Sequence, residues 1–471
     1  MASSREEIIE LVGEQRRYFS TGITREVSFR REQLEKLRSM IRQNKGRITR
    51  AAMEDLRKPP FEMFVSEIAF LLAEVDYALK KLDCWTSPSR VPGPLIFLWA
   101  ECRIHPEPYG VTLIISPWNY PFMLLFAPLI GAVAAGNCTV LKPSEVSPHS
   151  SRVIAELIRD TFDPHHIAVI EGGMEVNGPL LEQEFDYIFF TGSTGVGKEV
   201  MKAAAENLTP VTLELGGKSP CIVDEYPRLR YAAQRIAFGK WLNAGQTCIA
   251  PDYVLVHHEM KPRLLEELIK AVRSFYGQDP RYSRHYSRII NDRHFERLTQ
   301  LLGEGTIISG GEIDAGGLYI APTIIDEPGW EAPVMCEEIF GPILPVISYH
   351  ELDEAIGLVN SRPKPLALYF FSNDKRKQRR VLRDTSAGGV CINTTMLQES
   401  TQTLPFGGVG NSGMGAYHGK ASFDTFSHCK GVFDQRLPLD MVLRPPYPRS
   451  KILDRILQQL LLNGRKCRTR G

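Results

Sequence analysis

The chain has 471 residues, with 56 lysines and arginines against 55 aspartates and glutamates. This balance, with 43% hydrophobic residues, is typical of a globular protein and excludes a polycation that binds nucleic acid through its overall charge. The nine cysteines are scattered and form no C-x-x-C pair, which favours reduced thiols in the cytoplasm over a disulfide scaffold or a metal site.

The N-terminal part, residues 5–81, carries apolar residues at helical spacing among many charges, which predicts two or three long amphipathic helices. The first residues lack the features of a secretory signal or a transit peptide. The most apolar stretch, residues 122–133, is interrupted by Pro128 and is shorter than the roughly 20 residues that span a bilayer. We therefore expect a buried helix there.

A proline-rich stretch near residues 85–95 precedes a series in which strand-like and helix-like segments alternate. The strand-like segments include GVTLIIS, CTVLKPS and YIFFTG, and a second series begins near Pro220 with SPCIVD and DYVLVH. This alternation predicts two α/β layers with helix-covered parallel sheets. Ligands are expected in the cleft between them.

The glycine-rich turn FFTGSTGVGKEV, residues 189–200, has the spacing of a phosphate loop but not its chemistry. A Walker A loop needs Ser or Thr after the lysine, and Glu199 stands there instead, so the hydroxyl that would hold magnesium is missing. The G-x-G-x-x-G fingerprint also fails, because Val200 occupies its third glycine position. The turn by itself does not identify the ligand that it binds.

Three residues could carry out chemistry. Cys248 lies in a predicted loop, where a nucleophilic thiolate can find an exposed, electropositive niche, whereas Cys138 and Cys391 lie in strand-like runs and are expected to be buried. Glu214 is either a solvated carboxylate or a base whose pKa is raised by apolar surroundings. Asn119, between aromatic residues and prolines, either forms a turn or donates to an oxyanion. A cysteine hydrolase would also need a histidine, and no histidine lies in a comparable motif.

Seven stretches together point to one family: SPWNYPF, TVLKPSE, FTGSTGVG, LELGGKSP, GQTCIAPDY, EEIFGPILPV and LPFGGVGNSGMGAYHGKASFDTFSH. In this order and spacing they resemble the aldehyde dehydrogenase superfamily, from about residue 5 to residue 448. KPLALYFFS and the ending YHGKASFDTFSH are similar to its class-3 branch, which includes fatty aldehyde dehydrogenases. The resemblance implies oxidation of medium- or long-chain aliphatic or aromatic aldehydes to carboxylic acids.

The resemblance implies an α/β aldehyde dehydrogenase-like fold with three parts. Residues 1–84 and 108–215 are expected to form an NAD-binding domain of variant Rossmann type, and residues 216–420 an α/β catalytic domain. Residues 85–107 and 421–448 are the expected oligomerisation segments of a homodimer.

The same resemblance assigns catalytic roles. Cys248 is the expected nucleophile, and the side-chain amide of Asn119 and the backbone N–H of Cys248 are expected to hold the oxyanion. Glu214 is expected to activate the water that hydrolyses the resulting thioester. Glu338 is a second candidate base, although in this family it more usually contacts the nicotinamide ribose, with Phe340 beside the ring.

In the family, the glycine turn reads G-S-T-x-x-G and binds the pyrophosphate of NAD at the start of a helix. Lys142 and Glu145 match the positions that meet the adenine ribose; the carboxylate favours NAD, and the lysine keeps NADP compatible. The residues expected to bind the dinucleotide are Trp118, Lys142, Glu145, Gly192, Ser193, Thr194, Gly195, Val196, Gly197, Glu338 and Phe340.

The C-terminal tail, residues 449–471, differs in composition from the rest of the chain. From Arg444 onward there are eight basic residues and one acid, Asp454. The tail is interpreted as a basic amphipathic helix that either docks on the protein or a partner subunit, or lies on an anionic membrane. Its apolar residues would share one face of that helix: Ile452, Leu453, Ile456, Leu457, Leu460 and Leu461.

Overall fold

The computed structural model describes residues 4–93 and 100–435, together with residues 451, 452, 455, 458 and 459. Two largely parallel sheets covered by helices and a separate antiparallel sheet make up the described residues, so the predicted α/β fold is confirmed. The helices are α1 (Arg5–Ser20), α2 (Val27–Gln43), α3 (Lys45–Leu56), α4 (Pro60–Met63), α5 (Ala69–Thr86), α6 (Met123–Ala135), α7 (Pro148–Thr161), α8 (Met174–Leu181), α9 (Thr194–Glu206), α10 (Leu229–Trp241), α11 (Lys261–Tyr276), α12 (Asp292–Leu301), α13 (Pro333–Cys336), α14 (Leu352–Asn360), α15 (Lys375–Asp384) and α16 (Lys420–Thr425). The strands are β1 (Ser89–Val91), β2 (Ala100–Pro108), β3 (Val111–Ile115), β4 (Cys138–Lys142), β5 (Ile167–Val169), β6 (Tyr187–Thr191), β7 (Val211–Glu214), β8 (Pro220–Val223), β9 (Tyr253–His257), β10 (Thr306–Ser309), β11 (Ile313–Asp314), β12 (Tyr319–Ile320), β13 (Thr323–Asp326), β14 (Ile343–Tyr349), β15 (Ala367–Phe371), β16 (Gly389–Ile392), β17 (Gly413–Met414) and β18 (Ser427–Gln435).

The N-terminal region contains more helices than its apolar spacing predicts. Four of them, α1, α2, α3 and α5, have 12 residues or more, and the short α4 leads through one π-helical turn into α5. The prediction of two or three helices was wrong because α2 and α3 are separated by Asn44 alone. A single-residue break barely disturbs the periodicity of apolar residues.

The first sheet has the strand order β17-β7-β6-β3-β4-β5, in which all neighbours are parallel except β17 and β7. Helix α6 packs against β3 and β4, and all of its residues are buried, which confirms the predicted buried helix. The loops that follow β3, β4, β6 and β7 carry the motifs SPWNYPF, KPSE, GSTGVG and LGGKS. Parallel pairing therefore brings these four motifs to one edge of the sheet.

The second sheet has the order β10-β13-β14-β9-β8-β15-β16, with only β10 antiparallel to its neighbour. Cys248 lies in the connection from α10 to β9, and Glu338 in the connection from α13 to β14. Cys138 and Cys391 are buried in β4 and β16, as expected from their strand-like surroundings.

The chain returns to the first sheet before the boundary predicted at residue 420. Strand β17, at residues 413–414, pairs with β7, because the glycines of this stretch allow the close approach of two backbones. A Cβ at Gly413 would lie 1.9 Å from the Leu213 carbonyl oxygen. The two predicted oligomerisation segments meet in the antiparallel sheet β1-β2-β18, within the part of the chain that the structure describes.

The stretch 436–448 lies outside the described residues, and of the predicted C-terminal tail only residues 451, 452, 455, 458 and 459 are described. Its interpretation as a basic amphipathic helix therefore stays a prediction. Among the residues that are described, no helix is both long and apolar enough to cross a membrane.

Candidate active site

A cavity of about 480 Å³ opens where the loops after β3, β6 and β7 meet the segment before β14. It brings together most of the residues that the sequence singled out: Trp118, Asn119, Gly192, Ser193, Thr194, Glu214, Cys248, Glu338 and Phe340. The remaining predicted residues do not line it: Lys142, Glu145, Gly195, Val196 and Gly197. Residues that the sequence did not single out complete its lining, among them His294 and Arg297.

The loop that carries Cys248 is tightly held. Asn243 and Ala244 both have φ near +52°, a left-handed conformation that costs energy in residues other than glycine. The side chain of Gln246 compensates with three hydrogen bonds. Its Nε2 donates to the carbonyls of Asn243 and Arg288, each at 2.9 Å, and its Oε1 accepts from the Ile290 N–H at 3.0 Å. The position of Cys248 is thus fixed by its immediate neighbours.

The Cys248 thiol is only partly exposed, and charged side chains share its cavity. Burial raises the pKa of Cys248 well above its usual value, and the nearby carboxylates of Glu399, Glu338 and Glu214 raise it further. The carboxyls of Glu214 and Glu338 line the cavity together with Cys248, and so does the guanidinium of Arg297, so the surroundings of the thiol carry both signs of charge.

The Asn119 side chain is oriented by the same loop. Its Nδ2 donates to the Gln246 carbonyl at 3.1 Å, and because an amide nitrogen carries two hydrogens, one remains for a ligand. Its backbone carbonyl accepts hydrogen bonds from Lys58 Nζ at 2.8 Å and Asn243 Nδ2 at 3.0 Å. The amide is buried beside Cys248 and rigidly placed.

A buried ion pair holds the loop that carries Asn119. Lys58 Nζ lies 2.7 Å from Glu67 Oε1, and both side chains have 0% exposure. The other carboxylate oxygen of Glu67 accepts from the N–H groups of Phe122 and Met123, at 3.0 and 3.1 Å, where α6 begins. Both residues lie in a region that the sequence predicts only as amphipathic helices, so no local signal could have found this pair.

Lys58→Met should destabilise the protein by about 3–5 kcal/mol, because it leaves Glu67 buried and unpaired. Urea unfolding followed by circular dichroism measures this loss. The matched control is Lys202→Met, which removes a partner of Glu199 in a pair that is 72% and 67% exposed and should leave the unfolding midpoint nearly unchanged. An equal, small effect of both substitutions would contradict the structural role of the buried pair.

The Glu214 carboxyl is buried at the end of β7, and neither of its oxygens has a hydrogen-bond partner among the described residues. Burial raises the pKa of Glu214 well above its usual value, and Glu399 raises it further. The alternative of a solvated carboxylate is therefore wrong. An unpaired, buried carboxyl beside a thiol has the environment of a general base.

The Glu338 carboxyl packs directly on a glycine. A Cβ at Gly216 would lie 2.0 Å from Glu338 Oε2, so any larger residue there would displace this carboxyl from its position. Burial and Asp252 raise the pKa of Glu338 to about 8. Arg297 fixes the segment by donating to the Ile339 carbonyl at 2.6 Å.

Aromatic rings line the cavity next to Glu338. The Trp118 ring meets Phe340 edge-on at a centroid distance of 5.5 Å and lies 5.1 Å from the His294 ring. Phe340 has a φ of +48°. His294 and Arg297 both lie on α12, a helix whose sequence shows an ordinary amphipathic pattern and no catalytic motif.

The glycine turn opens helix α9 towards the cavity. Ser193 caps the helix by accepting a hydrogen bond from the Val196 N–H, and Thr194 donates to the Asn411 carbonyl at 3.2 Å. Gly197 does not line the cavity and packs on Leu215, where a Cβ would lie 2.7 Å from a methyl group. Gly197 thus serves helix packing, while the first three residues of the motif face the cavity.

The residues present fit a dinucleotide. The amides at the start of α9 attract a pyrophosphate, and Glu338 Oε1 is buried without a partner among the described residues, as suits a carboxylate that accepts from a ribose hydroxyl. At the end of β4, two strands from the turn, Lys142 Nζ lies 3.2 Å from Glu145 Oε2. The end of β4 therefore carries both signs of charge.

Comparisons with known proteins agree with this geometry. The family model described as aldehyde dehydrogenase family matches residues 1–432. The chain belongs to the aldehyde dehydrogenase family. Aldehyde dehydrogenases are oxidoreductases that convert aldehydes to carboxylic acids with NAD(P)⁺ as the electron acceptor, so the predicted enzyme class and cofactor are confirmed.

Individual relatives of this aldehyde dehydrogenase extend over nearly its whole length. It is 51% identical to aldehyde dehydrogenase family 3 member B1 of Homo sapiens over 454 residues, 96% of this chain and 97% of that protein. It is 46% identical to the dimeric, NADP-preferring aldehyde dehydrogenase of Mus musculus, over 94% of this chain and 98% of that protein. The structure of Staphylococcus aureus AldH in a substrate-bound state matches with a TM-score of 0.93 and 46% identity, over 96% of this chain and 99% of that chain. The predicted class-3 resemblance is confirmed.

Proposed function

We propose that Cys248 is the nucleophile of this aldehyde dehydrogenase and Glu214 the base for hydrolysis. The observation that carries this assignment is that both side chains and the Asn119 amide line one cavity with the start of α9. The Cys248 sulfur attacks the aldehyde carbon and gives a thiohemiacetal. When bound, NAD(P)⁺ accepts the hydride that leaves this carbon, and a thioester remains on Cys248.

The developing oxyanion is held by the free Nδ2 hydrogen of Asn119 and by the backbone N–H of Cys248. The support for this role is the rigid placement of Asn119, whose other amide hydrogen and backbone carbonyl are already bonded. A donor that is fixed before the reaction needs no reorganisation when charge develops, and removal of such a donor typically costs about 10²–10³ in kcat.

Glu214 accepts a proton from the water that attacks the thioester, which releases the carboxylic acid and returns the Cys248 thiol. The buried, unpartnered carboxyl of Glu214 supports this assignment over one to Glu338, which packs against Gly216 and is suited to bind the nicotinamide ribose. Trp118 and Phe340 are assigned to the nicotinamide side of the cavity.

We assign the pyrophosphate to the residues from Gly192 to Gly197, with Gly195 and Val196 in the first turn of α9, and the adenine ribose to Lys142 and Glu145. The carboxylate favours the 2′-hydroxyl of NAD, and the lysine offsets part of its repulsion of the NADP phosphate. The experiment is a survey of NADH and NADPH formation with aliphatic aldehydes of increasing length and with aromatic aldehydes. Ester hydrolysis without any reduction of either cofactor would instead favour the cysteine hydrolase.

We also propose a homodimer. The support is that the two expected oligomerisation segments form one sheet, β1-β2-β18, apart from the two parallel sheets. Sedimentation at micromolar concentration should show a species of twice the 53.0 kDa chain mass. A single 53.0 kDa species under these conditions would contradict the dimer.

For the C-terminal tail we propose peripheral contact with anionic membrane surfaces, on the basis of its basic, amphipathic sequence. A chain truncated after Pro448 should oxidise a short aldehyde at the normal rate and cosediment less with vesicles that contain phosphatidylserine. Phosphatidylcholine vesicles are the control, and equal cosedimentation of both forms with anionic vesicles would rule out this contact.

A further inference from the structure

The nucleophile loop, residues 243–250, ends in a β-turn that bonds to a strand of the second sheet. The Ala250 N–H donates to the Thr247 carbonyl at 3.0 Å, so Cys248 and Ile249 are the two central residues of this turn. The carbonyl of Ile249 accepts a hydrogen bond from the hydroxyl of Tyr369 in β15. Among the described residues no other donor bonds to this carbonyl.

This contact fixes the direction of the hydrogen bonds behind Tyr369. A carbonyl oxygen can only accept, so the one hydroxyl hydrogen of Tyr369 points at Ile249, and the hydroxyl oxygen accepts from its other polar neighbour. That neighbour is Gln398 Nε2, at 3.4 Å, and Gln398 Oε1 in turn accepts from the thiol of Cys391. A chain of three hydrogen bonds therefore runs from Cys391 to the turn.

The whole chain of hydrogen bonds is buried. Tyr369 has 0% exposure, and Gln398 and Cys391 are 8% and 6% exposed. A buried polar group that loses its partner gains no water in exchange, and hydrogen bonds in series strengthen one another. Gln398 and Cys391 therefore hold the Tyr369 hydroxyl in the orientation in which it bonds to Ile249.

The nucleophile loop is also bonded to the connection from β3 to α6, in the first sheet. The hydroxyls of Tyr120 and Thr247 lie 2.8 Å apart, and Asn119 Nδ2 donates to the Gln246 carbonyl at 3.1 Å. The loop is thus held from both sheets, and Tyr369 provides a bond from the second one. Loss of that bond would leave the Ile249 carbonyl without a partner and allow the turn to shift.

We propose that Tyr369 is a positioning residue for the nucleophile and that Gln398 and Cys391 fix its hydroxyl. The turn carries both the sulfur that attacks the aldehyde and the Cys248 N–H assigned to the oxyanion, so a shift of its backbone misplaces both groups. Tyr369 itself does not line the cavity. The inference rests on the proposed function of Cys248 and adds the residues that hold it in its reactive position.

Tyr369→Phe removes the hydroxyl and keeps the ring. With enzyme in excess over hexanal and with saturating NAD⁺, the first-order rate constant of NADH formation should fall roughly 10–100-fold, since a displacement of about 1 Å can cost this much. The rate constant reached at saturating enzyme does not depend on the fraction of inactive protein, which separates misplacement from partial unfolding. An unchanged rate constant would overturn the inference.

Variants at the other two positions test the chain independently of whether Tyr369→Phe folds. Cys391→Ala removes the donor to Gln398 and should lower the rate constant, whereas Cys391→Ser keeps a donor and should restore most of it. Gln398→Met should lower the rate constant of the wild-type enzyme but not that of Tyr369→Phe, because it acts only through the Tyr369 hydroxyl. Equal rates of the two Cys391 variants, or additive effects of Gln398→Met and Tyr369→Phe, would overturn the inference.

Tyr349→Phe is the matched control. Tyr349 has 0% exposure, and its hydroxyl donates to the Val223 carbonyl at 3.4 Å. It lies at the carboxyl end of β14 in the same sheet, beside the end of β9, whereas Cys248 precedes the start of β9. Tyr349→Phe should leave the rate constant unchanged, and a loss as large as that of Tyr369→Phe would overturn the inference.

The proposed function and this inference fail in different ways. If wild-type enzyme formed no NADH or NADPH from any aldehyde, the proposed function would be wrong, and the inference with it. If wild-type enzyme oxidised hexanal and Tyr369→Phe did so with the same rate constant, the inference alone would be wrong.

Discussion

Cys248→Ala should reduce NAD(P)H formation from every aldehyde by at least about 10⁴-fold, to the background rate. Without the sulfur no thiohemiacetal forms. Neither Glu214 nor Glu338 can replace it as the nucleophile that attacks the aldehyde carbon. The loss of a nucleophile that starts both steps of a reaction is typically of this size or larger. The absorbance of the reduced cofactor after mixing with saturating aldehyde measures it, and no burst should precede the steady state.

Cys84→Ala is the matched control, because Cys84 is exposed on α5 and contributes nothing to the cavity. It should retain full activity. Binding of NAD to Cys248→Ala, followed by quenching of tryptophan fluorescence, should be nearly normal, which separates a chemical defect from a folding defect. Appreciable aldehyde oxidation by Cys248→Ala would overturn the assignment of the nucleophile.

The parts of the site that the sequence predicts are those built from consecutive residues. The Gly-Ser-Thr turn at 192–194 follows a buried strand and precedes a helix, so its place at the strand end is local information. The position of Cys248 in the loop between α10 and β9 is likewise predicted from the residues on either side of it. The alternation of strand-like and helix-like segments was enough to predict two parallel sheets, and parallel pairing then brought the motifs together.

The parts that the sequence did not reveal depend on contacts between distant segments. Lys58 and Asn119 are 61 positions apart and meet through tertiary contacts, in which Glu67 bonds to Lys58 and to the start of α6. A lysine in a charged helical region predicts a solvated surface, whereas Lys58 is completely buried. The segment after β16 gave no local signal for the same reason, since Gln398 reaches the nucleophile loop only through the Tyr369 hydroxyl, which donates to the carbonyl of Ile249.

The electrostatics of the thiol are a further property that no motif contains. The sequence places Cys248 in a loop, and general experience with reactive cysteines then suggests positive surroundings. In the structure two carboxyls from different segments, those of Glu214 and Glu338, line the cavity with the thiol, and Glu399 adds to their effect on its pKa. Burial and these carboxylates raise the pKa of the Cys248 thiol, and a cation bound beside the thiol would lower it again.

Glu214→Gln separates the two chemical steps. Because the glutamine cannot accept a proton, we expect the thioester to form once and then persist. Rapid mixing with NAD⁺ and an aldehyde should give a burst of NADH that approaches one per active site, followed by steady turnover that is slower by about 10²–10⁴-fold. Wild-type enzyme, which hydrolyses its thioester, should show a smaller burst or none.

The pH dependence of kcat is a second measurement of the role of Glu214. Burial and Glu399 raise the pKa of Glu214 well above its usual value, so its basic form is lost as the pH falls, and wild-type kcat should rise with pH. The residual turnover of Glu214→Gln should lack the part of this rise that Glu214 causes. Glu338→Gln is the control, since a ribose ligand should affect the KM for NAD⁺ more than the burst.

The outcomes of the Glu214→Gln experiment discriminate between three roles. A full burst with slow turnover is the result expected of a base that acts only in hydrolysis. A missing burst with NAD⁺ still bound would mean that Glu214 also deprotonates Cys248, whose side chain lines the same cavity. Near-normal turnover would contradict the assignment of Glu214 and would mean that another residue is the base. Glu338 is then the first residue to test, because its carboxyl lines the same cavity and has an oxygen without a partner among the described residues.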